Sequence, residues 1–597
     1  MDAIWIMVVS FVGYVLAYNT YGRFLARKIF RLRDHAAVPS RELEDGVDYV
    51  PTRKGVIFGH HYTSIAGTGP IVGPAIGIIW GWVPAMVWVF VGSIVMGAVH
   101  DFGSLVISLR NEGKSMAEIT GRYINGRART LFFLVVFLEL LIVVAIFGVV
   151  IALVFARFPQ AVFPVWCEVP IAVLLGLGIA GGAGRGKVFL GTLMAVALMY
   201  ATVVAGHKLP LEMPAMTVGG TTLPPVALWV GILLVYAYIA SSIRVTTLLQ
   251  PRDYINAWQL FIATGLLIAG IVGAHMAAGG LKVVAPAYNP GPTGAPPMWP
   301  FLMVVIACGA ISGFHSLVAS GTTPKQIRTE RDSLFVGYGS MLMEAALATL
   351  VIVAVAAGIG LAYESTSGAT LTGTAAWNQH YASWTAAKGL GSKITAVVVG
   401  SANMIATLGI SKGLAIVIIG VFIASFAGTT LDTATRLQRY VVSEIATEWR
   451  MRWLANRWVA TALAVITAGL LAFAARPAGK GLEGLGTGAL VLWPMFGAVN
   501  QLLAALALFL VTLYLRRKFA RAWLLTLLPC LFMLVMTLWA VVHNEVDFVT
   551  KQNWTLVAIN GLTLALAVWV AIEAFVVLLR GRGPQARGAT EYARAGD

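Results

Sequence analysis

The sequence predicts an all-α polytopic membrane protein with about 15 transmembrane helices. Three observations predict this class. Hydrophobic residues make up 58% of the 597 positions and charged residues only 11%. Apolar runs long enough to cross a bilayer recur from residue 4 to residue 579. Basic residues concentrate in the short connections between these runs, as they do in cytoplasmic loops. The net charge of +16 therefore fits a chain whose partner is the lipid bilayer, and we expect no nucleic-acid partner.

The predicted spans follow from the apolar windows and the loop charges. The first window lacks a basic N-terminal flank and a small-residue cleavage site, so we interpret it as a retained helix and not as a signal peptide. A basic connection follows it, which places the N-terminus outside and the C-terminus inside. The predicted spans are 4–20, 56–78, 82–108, 130–156, 169–182, 188–206, 225–243, 257–279, 299–320, 335–362, 413–429, 456–474, 487–514, 522–543 and 554–579.

One further apolar segment, 394–410, is excluded from the spans. It is short and carries Ser401 and Asn403, and counting it would place Arg436 and Arg439 on the outer side. We expect it to be a re-entrant or surface element on that side. Excluding it also places a basic tail in the cytoplasm, with Arg580, Arg582 and Arg587.

The stretch GHHYTSIAGTGPIVGP, residues 59–74, combines histidines and hydroxyls with a run of glycine and proline. Glycine and proline interrupt a continuous helix, and a break inside a membrane exposes backbone N–H groups that favour an anion. Histidine adds a charge that depends on protonation. The alternative is that the glycines and prolines serve helix packing alone. We expect substrate to bind here, at His60, His61, Tyr62, Ser64, Thr68 and Gly69. His60 and His61 are also candidates for proton coupling.

Other polar groups within predicted spans are candidates for binding or coupling, because such groups usually face a cavity or a partner. Hydroxyls in 225–243 are predicted to bind substrate: Tyr236, Tyr238, Ser241 and Ser242. Groups in three other spans are predicted to couple transport to an ion: Asp101, Glu139, Ser312, His315 and Ser316. Glu344 and Glu573 also lie in apolar windows. The alternative for each ionisable residue is a structural ion pair.

The charged residues just after the span 413–429 and just before the span 257–279 are placed outside the spans. Asp432 and Arg436 lie one turn apart just after 413–429, and this spacing predicts an i,i+4 ion pair that ends a helix. Arg252 is assigned to a cytoplasmic loop. Neither stretch is predicted to bind substrate.

Motifs of enzymes and metal sites are missing from the sequence. There is no Walker loop, HExxH or GxSxG sequence, so we expect no enzyme and no catalytic residue. Cys167, Cys308 and Cys530 form no CxxC pair. The adjacent His60 and His61 point to opposite sides of a helix and make a poor metal clamp. We expect no metal site and no cofactor apart from the coupling ion.

Six motifs together resemble one family. In chain order they are FGHHYTSIAGTGPIVGP, GAVHDF, QPRDYINAW, SGFHSLVASGTTPKQI, TTLDTATRLQRYV and LWPMFGAVNQLLAALAL. They resemble the carbon-starvation protein A (CstA) family of bacterial inner-membrane transporters over residues 48–508. The resemblance implies uptake of peptides or of pyruvate, the latter by proton symport. It also implies the LeuT-like core of the amino acid-polyamine-organocation (APC) superfamily.

A LeuT-like core has five spans followed by five inverted spans, with the first and the sixth interrupted. In the implied mapping 56–78 is the first core span, 225–243 is the interrupted sixth and 299–320 is the eighth. The implied domains are an N-terminal helix with a basic loop, the transport core and a C-terminal helical region with about three spans, at 1–50, 51–429 and 430–597.

The sequence therefore predicts a secondary active transporter of the bacterial inner membrane that carries a small carboxylate or short peptide with H⁺ by alternating access. Sodium coupling is an alternative, because Ser312, Ser316 and the carbonyl group of Ala66 supply hard oxygen ligands. A membrane sensor or channel without coupled transport is a further alternative. Pyruvate and peptides both carry a carboxylate, so both remain candidate substrates, and the oligomeric state stays open.

Overall fold

The computed structural model describes residues 2–180, 185–218, 221–277, 279–365, 368–474, 484–518 and 521–579. The basic tail predicted to be cytoplasmic lies outside these ranges. Within them the chain is mostly helical. The first helices are α1 Ala3–Ala17, α2 Pro39–Glu42, α3 Lys54–Ile65, α4 Gly69–Gly77, α5 Trp82–Gly92, α6 Ala98–Leu109, α7 Met116–Tyr123, α8 Gly126–Arg157, α9 Val162–Ala180, α10 Arg185–Lys208, α11 Pro225–Ser242 and α12 Leu249–Ala277.

The remaining elements are also mostly helices. The later helices are α13 Met298–Val305, α14 Gly313–Gly321, α15 Ser340–Ala356, α16 Gly373–Tyr381, α17 Trp384–Ala387, α18 Leu390–Ala406, α19 Lys412–Glu448, α20 Arg457–Ala474, α21 Trp493–Lys518, α22 Leu524–Thr550 and α23 Trp554–Leu579. Two small antiparallel hairpins pair β1 Met216–Val218 with β2 Thr221–Leu223, and β3 Tyr363–Glu364 with β4 Thr370–Leu371.

Twelve helical stretches within the described ranges are long and apolar enough to cross a membrane, or thirteen if a bent pair is one span. The bent pair is α3 and α4, which meet at 41° across residues 66–68. The sequence predicts this interruption from its glycines and Pro70. Four other predicted features need correction or closer description.

The predicted continuous span 299–320 is wrong, because residues 306–312 separate α13 from α14. This break lies against the first one and is held by α21, a contact that no local pattern in the sequence reveals. Residues 394–406 of the excluded segment 394–410 belong to α18, a helix of 17 residues that packs against α4, α12 and α19.

Two helices extend beyond their predicted ends and carry charged residues into the interior. α12 begins at Leu249, so the assignment of Arg252 to a loop is wrong. α19 continues to Glu448, so Asp432 does not end a helix. Both errors have one cause: the charges that suggest a loop are neutralised by partners on other helices.

The helices pack so that the two interrupted spans lie at the centre. α8 lies along α19, α3 packs against α12, and α14 packs against α6 and α21. Small residues permit the close crossings. A Cβ atom at Gly73 of α4 would lie 2.7 Å from the Val305 carbonyl oxygen at the second break. Large apolar side chains on α10, α22 and α23 are exposed, as expected of faces that contact lipid.

Candidate functional site

The two interruptions contact each other directly. A Cβ atom at Gly69, the first residue of α4, would lie 2.5 Å from the Cβ atom of Cys308 in the second break. A Cβ atom at Gly67 would lie 2.9 Å from the ring of Phe147 on α8. Side chains larger than hydrogen do not fit at these positions, and the unwound backbone of α3 and α4 is therefore surrounded by α8, α19 and the second break.

The first interruption leaves backbone donors without partners. The N–H groups of Gly67, Thr68 and Gly69 donate no hydrogen bond to any described residue. The hydroxyl oxygen of Thr430, which lies beside Gly67, also has no hydrogen-bond partner in the described chain. Ser64 forms a hydroxyl contact of 3.2 Å with Thr433 of α19. The geometry can supply several neutral hydrogen bonds to an anionic group.

The two adjacent histidines face different helices. His60 Nδ1 lies 2.5 Å from Asp253 Oδ2 of α12, and His61 Nδ1 lies 2.7 Å from the hydroxyl oxygen of Thr323. Both rings are buried. Tyr62 donates a 3.3 Å hydrogen bond to the backbone oxygen of Met343. The histidines thus connect α3 to its neighbours and do not converge on one ligand.

An ionic cluster that the sequence does not reveal lies beside the first interruption. Arg252 Nη1 lies 2.5 Å from Asp432 Oδ2, and its Nε lies 3.2 Å from Glu168 Oε1. Tyr236 donates a 2.8 Å hydrogen bond to Asp432, and Ser425 donates one of 2.7 Å to Glu168. All three charged side chains are buried. The only sequence signal for this cluster is a charge within or next to an apolar run.

The hydroxyls predicted in α11 divide between two environments. Tyr236 belongs to the ionic cluster, and Ser241 donates a 2.9 Å hydrogen bond to the Asp432 backbone oxygen. Ser242 donates to the backbone oxygen of Tyr238 within its own helix. Tyr238 contacts Trp458 and faces away from Asp432. The structure therefore brings Tyr236 and Ser241 to the cluster and separates Tyr238 from it.

A second buried cluster joins α6, α14 and α15. His315 Nδ1 lies 2.9 Å from Asp101 Oδ2, and its Nε2 lies 3.1 Å from Glu344 Oε2. The other Asp101 oxygen lies 2.7 Å from His100 Nδ1. Two residues predicted to couple transport, Asp101 and His315, are thus in contact. Glu344 completes the cluster. It lies in an apolar window of the sequence but was not among the residues predicted to couple transport.

The remaining predicted coupling residues lie apart from that contact. Ser312 donates a 3.1 Å hydrogen bond to Asn500 Oδ1, and Ser316 donates to the Gly313 backbone oxygen. Glu139 is fully buried in α8, and neither carboxyl oxygen has a hydrogen-bond partner among the described residues. An isolated buried carboxylate is costly, so Glu139 differs from the other buried acidic residues, which take part in ion pairs.

Asp432 and Arg436 do not pair with each other as the i,i+4 spacing predicts. Arg436 reaches Asp48 at 3.0 Å instead, and Asp48 also accepts a 2.6 Å hydrogen bond from Tyr440. The segment that carries Asp48 leads directly into α3. Its Thr52 N–H donates a 2.9 Å hydrogen bond to the Gln326 backbone oxygen beyond α14. This predicted cytoplasmic contact ties the ends of both interrupted spans together.

These features define a multi-pass helical membrane protein with ionisable groups buried beside two interrupted spans. The family model described as "Carbon starvation protein CstA" matches residues 2–540, and the chain belongs to that family. Membership of this family, whose curated relatives are bacterial transporters, places the chain in the bacterial inner membrane.

Two curated relatives and one solved structure illustrate the similarity. The "Peptide transporter CstA" of Campylobacter jejuni is 34% identical, with 92% of this chain and 81% of the relative covered. The "Pyruvate/proton symporter BtsT" of Escherichia coli is 31% identical, with 90% and 81% covered. A crystal structure of a manganese transporter from Eremococcus coleocola aligns with a TM-score of 0.50 at 12% identity, covering 90% of this chain and 99% of that one. The last similarity concerns the fold alone.

Proposed function

We propose that this protein is a proton-coupled secondary active transporter that imports a small carboxylate such as pyruvate, or short peptides, by alternating access. The observation that carries the proposal is the direct contact of two interrupted spans, Gly69 against Cys308, inside a bundle with buried ionisable groups. Discontinuous helices that meet at mid-membrane form the binding sites of many secondary transporters. The names of the relatives, peptide transporter and pyruvate/proton symporter, support the substrates and the coupling ion.

The packing supports a core of two inverted repeats. The first repeat consists of α3/α4, α5/α6, α8, α11 and α12, and the second of α13/α14, α15, α19, α20 and α21. Corresponding contacts recur between them: α4 packs on α15 as α14 packs on α6, α3 packs on α12 as α13 packs on α21, and α8 packs on α20 as α19 packs on α11. Matching contacts of this kind between the two sets of helices are expected of inverted repeats.

This assignment differs from the one that the sequence implies. The second interrupted helix of the core is α13/α14 and not the span 225–243, which becomes the fourth core helix. The hairpin of α9 and α10 is an insertion between the third and fourth helices. The core then ends with α21, at residue 518, instead of at residue 429.

The substrate carboxylate is assigned to the first interruption. The N–H groups of Gly67, Thr68 and Gly69 have no other acceptor in the described chain, and the N-terminus of α4 adds a favourable dipole. The Thr430 hydroxyl and the Ser64–Thr433 pair lie next to this backbone. A carboxylate held by neutral donors suits pyruvate and the C-terminus of a peptide equally well.

Glu139 is assigned to proton coupling. Its carboxyl group is buried without a hydrogen-bond partner in the described residues, so loss of its proton requires access to water or to a cation. Its neighbour Leu140 lines a cavity between α8, α14 and α19 that extends toward Lys325 on the predicted cytoplasmic side. Glu139 itself does not line this cavity, and the proposed route releases its proton inside when the cavity opens far enough to admit water to the carboxyl group. The coupling role that the sequence predicts for Asp101 and His315 stays a prediction.

The decisive experiment measures uptake of labelled pyruvate and a labelled dipeptide into proteoliposomes. We expect an inward proton gradient to drive accumulation of at least one substrate, and a protonophore to abolish it. Failure of both substrates to accumulate under any gradient contradicts the proposal. Accumulation that requires a sodium gradient would replace H⁺ by Na⁺ and favour Ser312 and Ser316 as ligands.

The substitution Glu139→Gln tests the coupling residue. Because the amide resembles the protonated carboxyl group, we expect unfolding temperature and substrate exchange to stay close to wild type, whereas proton-driven accumulation falls by about tenfold or more. The matched control is Glu364→Gln on the exposed strand β3, which should change neither quantity. Undiminished proton-driven accumulation in E139Q removes this residue from the mechanism.

A further inference from the structure

A second cluster has the composition of a metal site. Cys308 in the second break, His315 of α14 and Glu344 of α15 are all buried. One potential ligand atom from each, a sulfur, a nitrogen and an oxygen, lies within 4.8 Å of the other two. Ligands of a tetrahedral Zn²⁺ ion lie about 3.3 to 3.8 Å apart, so only a small inward movement is needed for all three to reach one ion.

The orientation of His315 favours binding through Nε2. Its Nδ1 lies 2.9 Å from Asp101 Oδ2, and an Nδ1–H donated to this carboxylate leaves Nε2, which lies 3.1 Å from Glu344 Oε2, as the ligand atom. Histidine ligands of metals almost always donate their other ring N–H to a carboxylate, a carbonyl oxygen or water in this way. Asp101 is fixed in turn by His100, whose Nδ1 lies 2.7 Å from its other oxygen.

Several atoms of the cluster are unsatisfied without a cation. His315 Nε2 and both carboxyl oxygens of Glu344 have no hydrogen-bond partner of acceptable geometry within the described part of the chain, although Nε2 and Oε2 are 3.1 Å apart. Unpaired polar atoms in a dry interior are destabilising. A plain ion pair between His315 and Glu344 would satisfy two of the groups. The Cys308 thiol, which donates a 3.6 Å hydrogen bond to Ser312 Oγ and accepts one of 3.9 Å from Asn500, would take no part in that pair.

We propose that Cys308, His315 and Glu344 bind one divalent transition-metal ion of the zinc class, with Asp101 as the residue that orients His315. Mixed sulfur, nitrogen and oxygen ligands suit Zn²⁺ and Co²⁺ and disfavour Mg²⁺ and Ca²⁺. Three protein ligands leave a fourth coordination position for water or another ligand. The site was not expected from the sequence, because Cys308 lies in the break, His315 lies on α14 and Glu344 lies on α15, and no two of them form a short-range ligand pair.

The test measures metal content and cobalt spectra of the purified full-length protein. Protein from cells grown with added zinc is analysed for metal by mass spectrometry, and metal-free protein is then titrated with Co²⁺. We expect about one metal ion per chain, with visible bands of tetrahedral Co²⁺ and a near-ultraviolet band from the thiolate. Zn²⁺ should displace Co²⁺, and Mg²⁺ should not.

Substitutions of the proposed residues identify which of them bind the metal ion. Cys308→Ser should remove the thiolate band, Glu344→Gln should weaken binding while leaving the band, and Asp101→Asn should weaken binding by about 10- to 100-fold. The matched control is Cys530→Ser, a buried cysteine between α21 and α22, which should bind like wild type. Size-exclusion profiles and unfolding temperatures identify any variant that fails to fold.

Two outcomes overturn the proposal. The first is wild-type protein that contains no metal as purified and takes up neither Co²⁺ nor Zn²⁺. The second is a thiolate band that persists in C308S. Neither outcome depends on transport: a metal-free protein that accumulates pyruvate leaves the proposed function intact, and a metal-loaded protein that accumulates nothing contradicts only the proposed function.

Discussion

The interruption at 66–68 and the interruption at 306–312 lie side by side, but their surroundings hold them differently. In the second, Asn500 of α21 accepts hydrogen bonds from the Phe314 N–H at 2.8 Å and from the Ser312 hydroxyl at 3.1 Å. In the first, Thr68 caps α4 without any side-chain hydrogen bond. The second helix start is therefore anchored by a neighbouring helix, whereas the first retains backbone donors for another partner.

Because of this difference, the two breaks are suited to different tasks. An anchored break keeps the side chains of α14, including His315, in fixed positions. An uncapped break can exchange hydrogen-bond partners, which a site that binds and releases an anion requires. The asymmetry leads to three experiments, which are ordered by the size of the expected effect.

The largest effect is expected from Gly69→Ala, which places a methyl group at the contact of the two breaks. The new Cβ atom would lie 2.5 Å from Cys308 Cβ, and overpacking of this kind costs about 1 to 3 kcal/mol. We expect uptake in proteoliposomes to fall by roughly tenfold or more. Gly148→Ala on α8 is the control, since nothing lies within 4 Å of its Cβ position. Equal uptake by both variants would show that the contact is not needed.

A smaller effect is expected from substitutions at the N-terminal ends of α14 and α4. Asn500→Ala leaves the Phe314 N–H and the Ser312 hydroxyl without their acceptor, so we expect a loss of about 1 to 3 kcal/mol in the free energy of unfolding. Thr68→Ala removes no cap and should change it by less than about 0.5 kcal/mol. Thermal unfolding in detergent measures both. Similar losses in the two variants would mean that the breaks are equally anchored.

The smallest effect concerns the contact that joins the predicted cytoplasmic ends of both spans. Burial opposes ionisation of Asp48, but Arg436, Arg439 and the Tyr440 hydroxyl outweigh it and hold the pKa of Asp48 below its usual value. A lowered carboxyl pKa stabilises the folded state above the unfolded pKa, and this contribution is lost as the pH falls through the folded pKa.

The substitution Asp48→Asn should therefore destabilise the protein by about 1 to 2 kcal/mol at pH 7. The difference in unfolding temperature from wild type should persist at about pH 5 and shrink below about pH 4, as the pH falls toward the lowered pKa of wild-type Asp48. Asp547→Asn in an exposed i,i+4 pair with Lys551 is the control, for which we expect little change at either pH. A difference that does not depend on pH would exclude the carboxylate as its source.

Prediction from sequence succeeded where the signal was local. Glycine and proline around Gly69 predicted the first break, and the apolar runs predicted most of the long helices. It failed for the second break, where the capping residue, Asn500, comes from a helix nearly 200 positions further along the chain. It also placed Arg252 in a loop, because a charge next to an apolar run looks like a boundary when its partner is unknown.

The sequence by itself determined the membrane class, the family and the first interruption, because composition, motifs and backbone-breaking residues are properties of a single segment. Tertiary structure alone decided which charges pair. Arg252 meets Asp432 and Glu168 on two other helices, and His315 meets Asp101 and Glu344. The physical reason is that a buried charge is stable only beside a partner of opposite charge or a hydrogen-bonding group, and here those partners come from helices far apart in the chain.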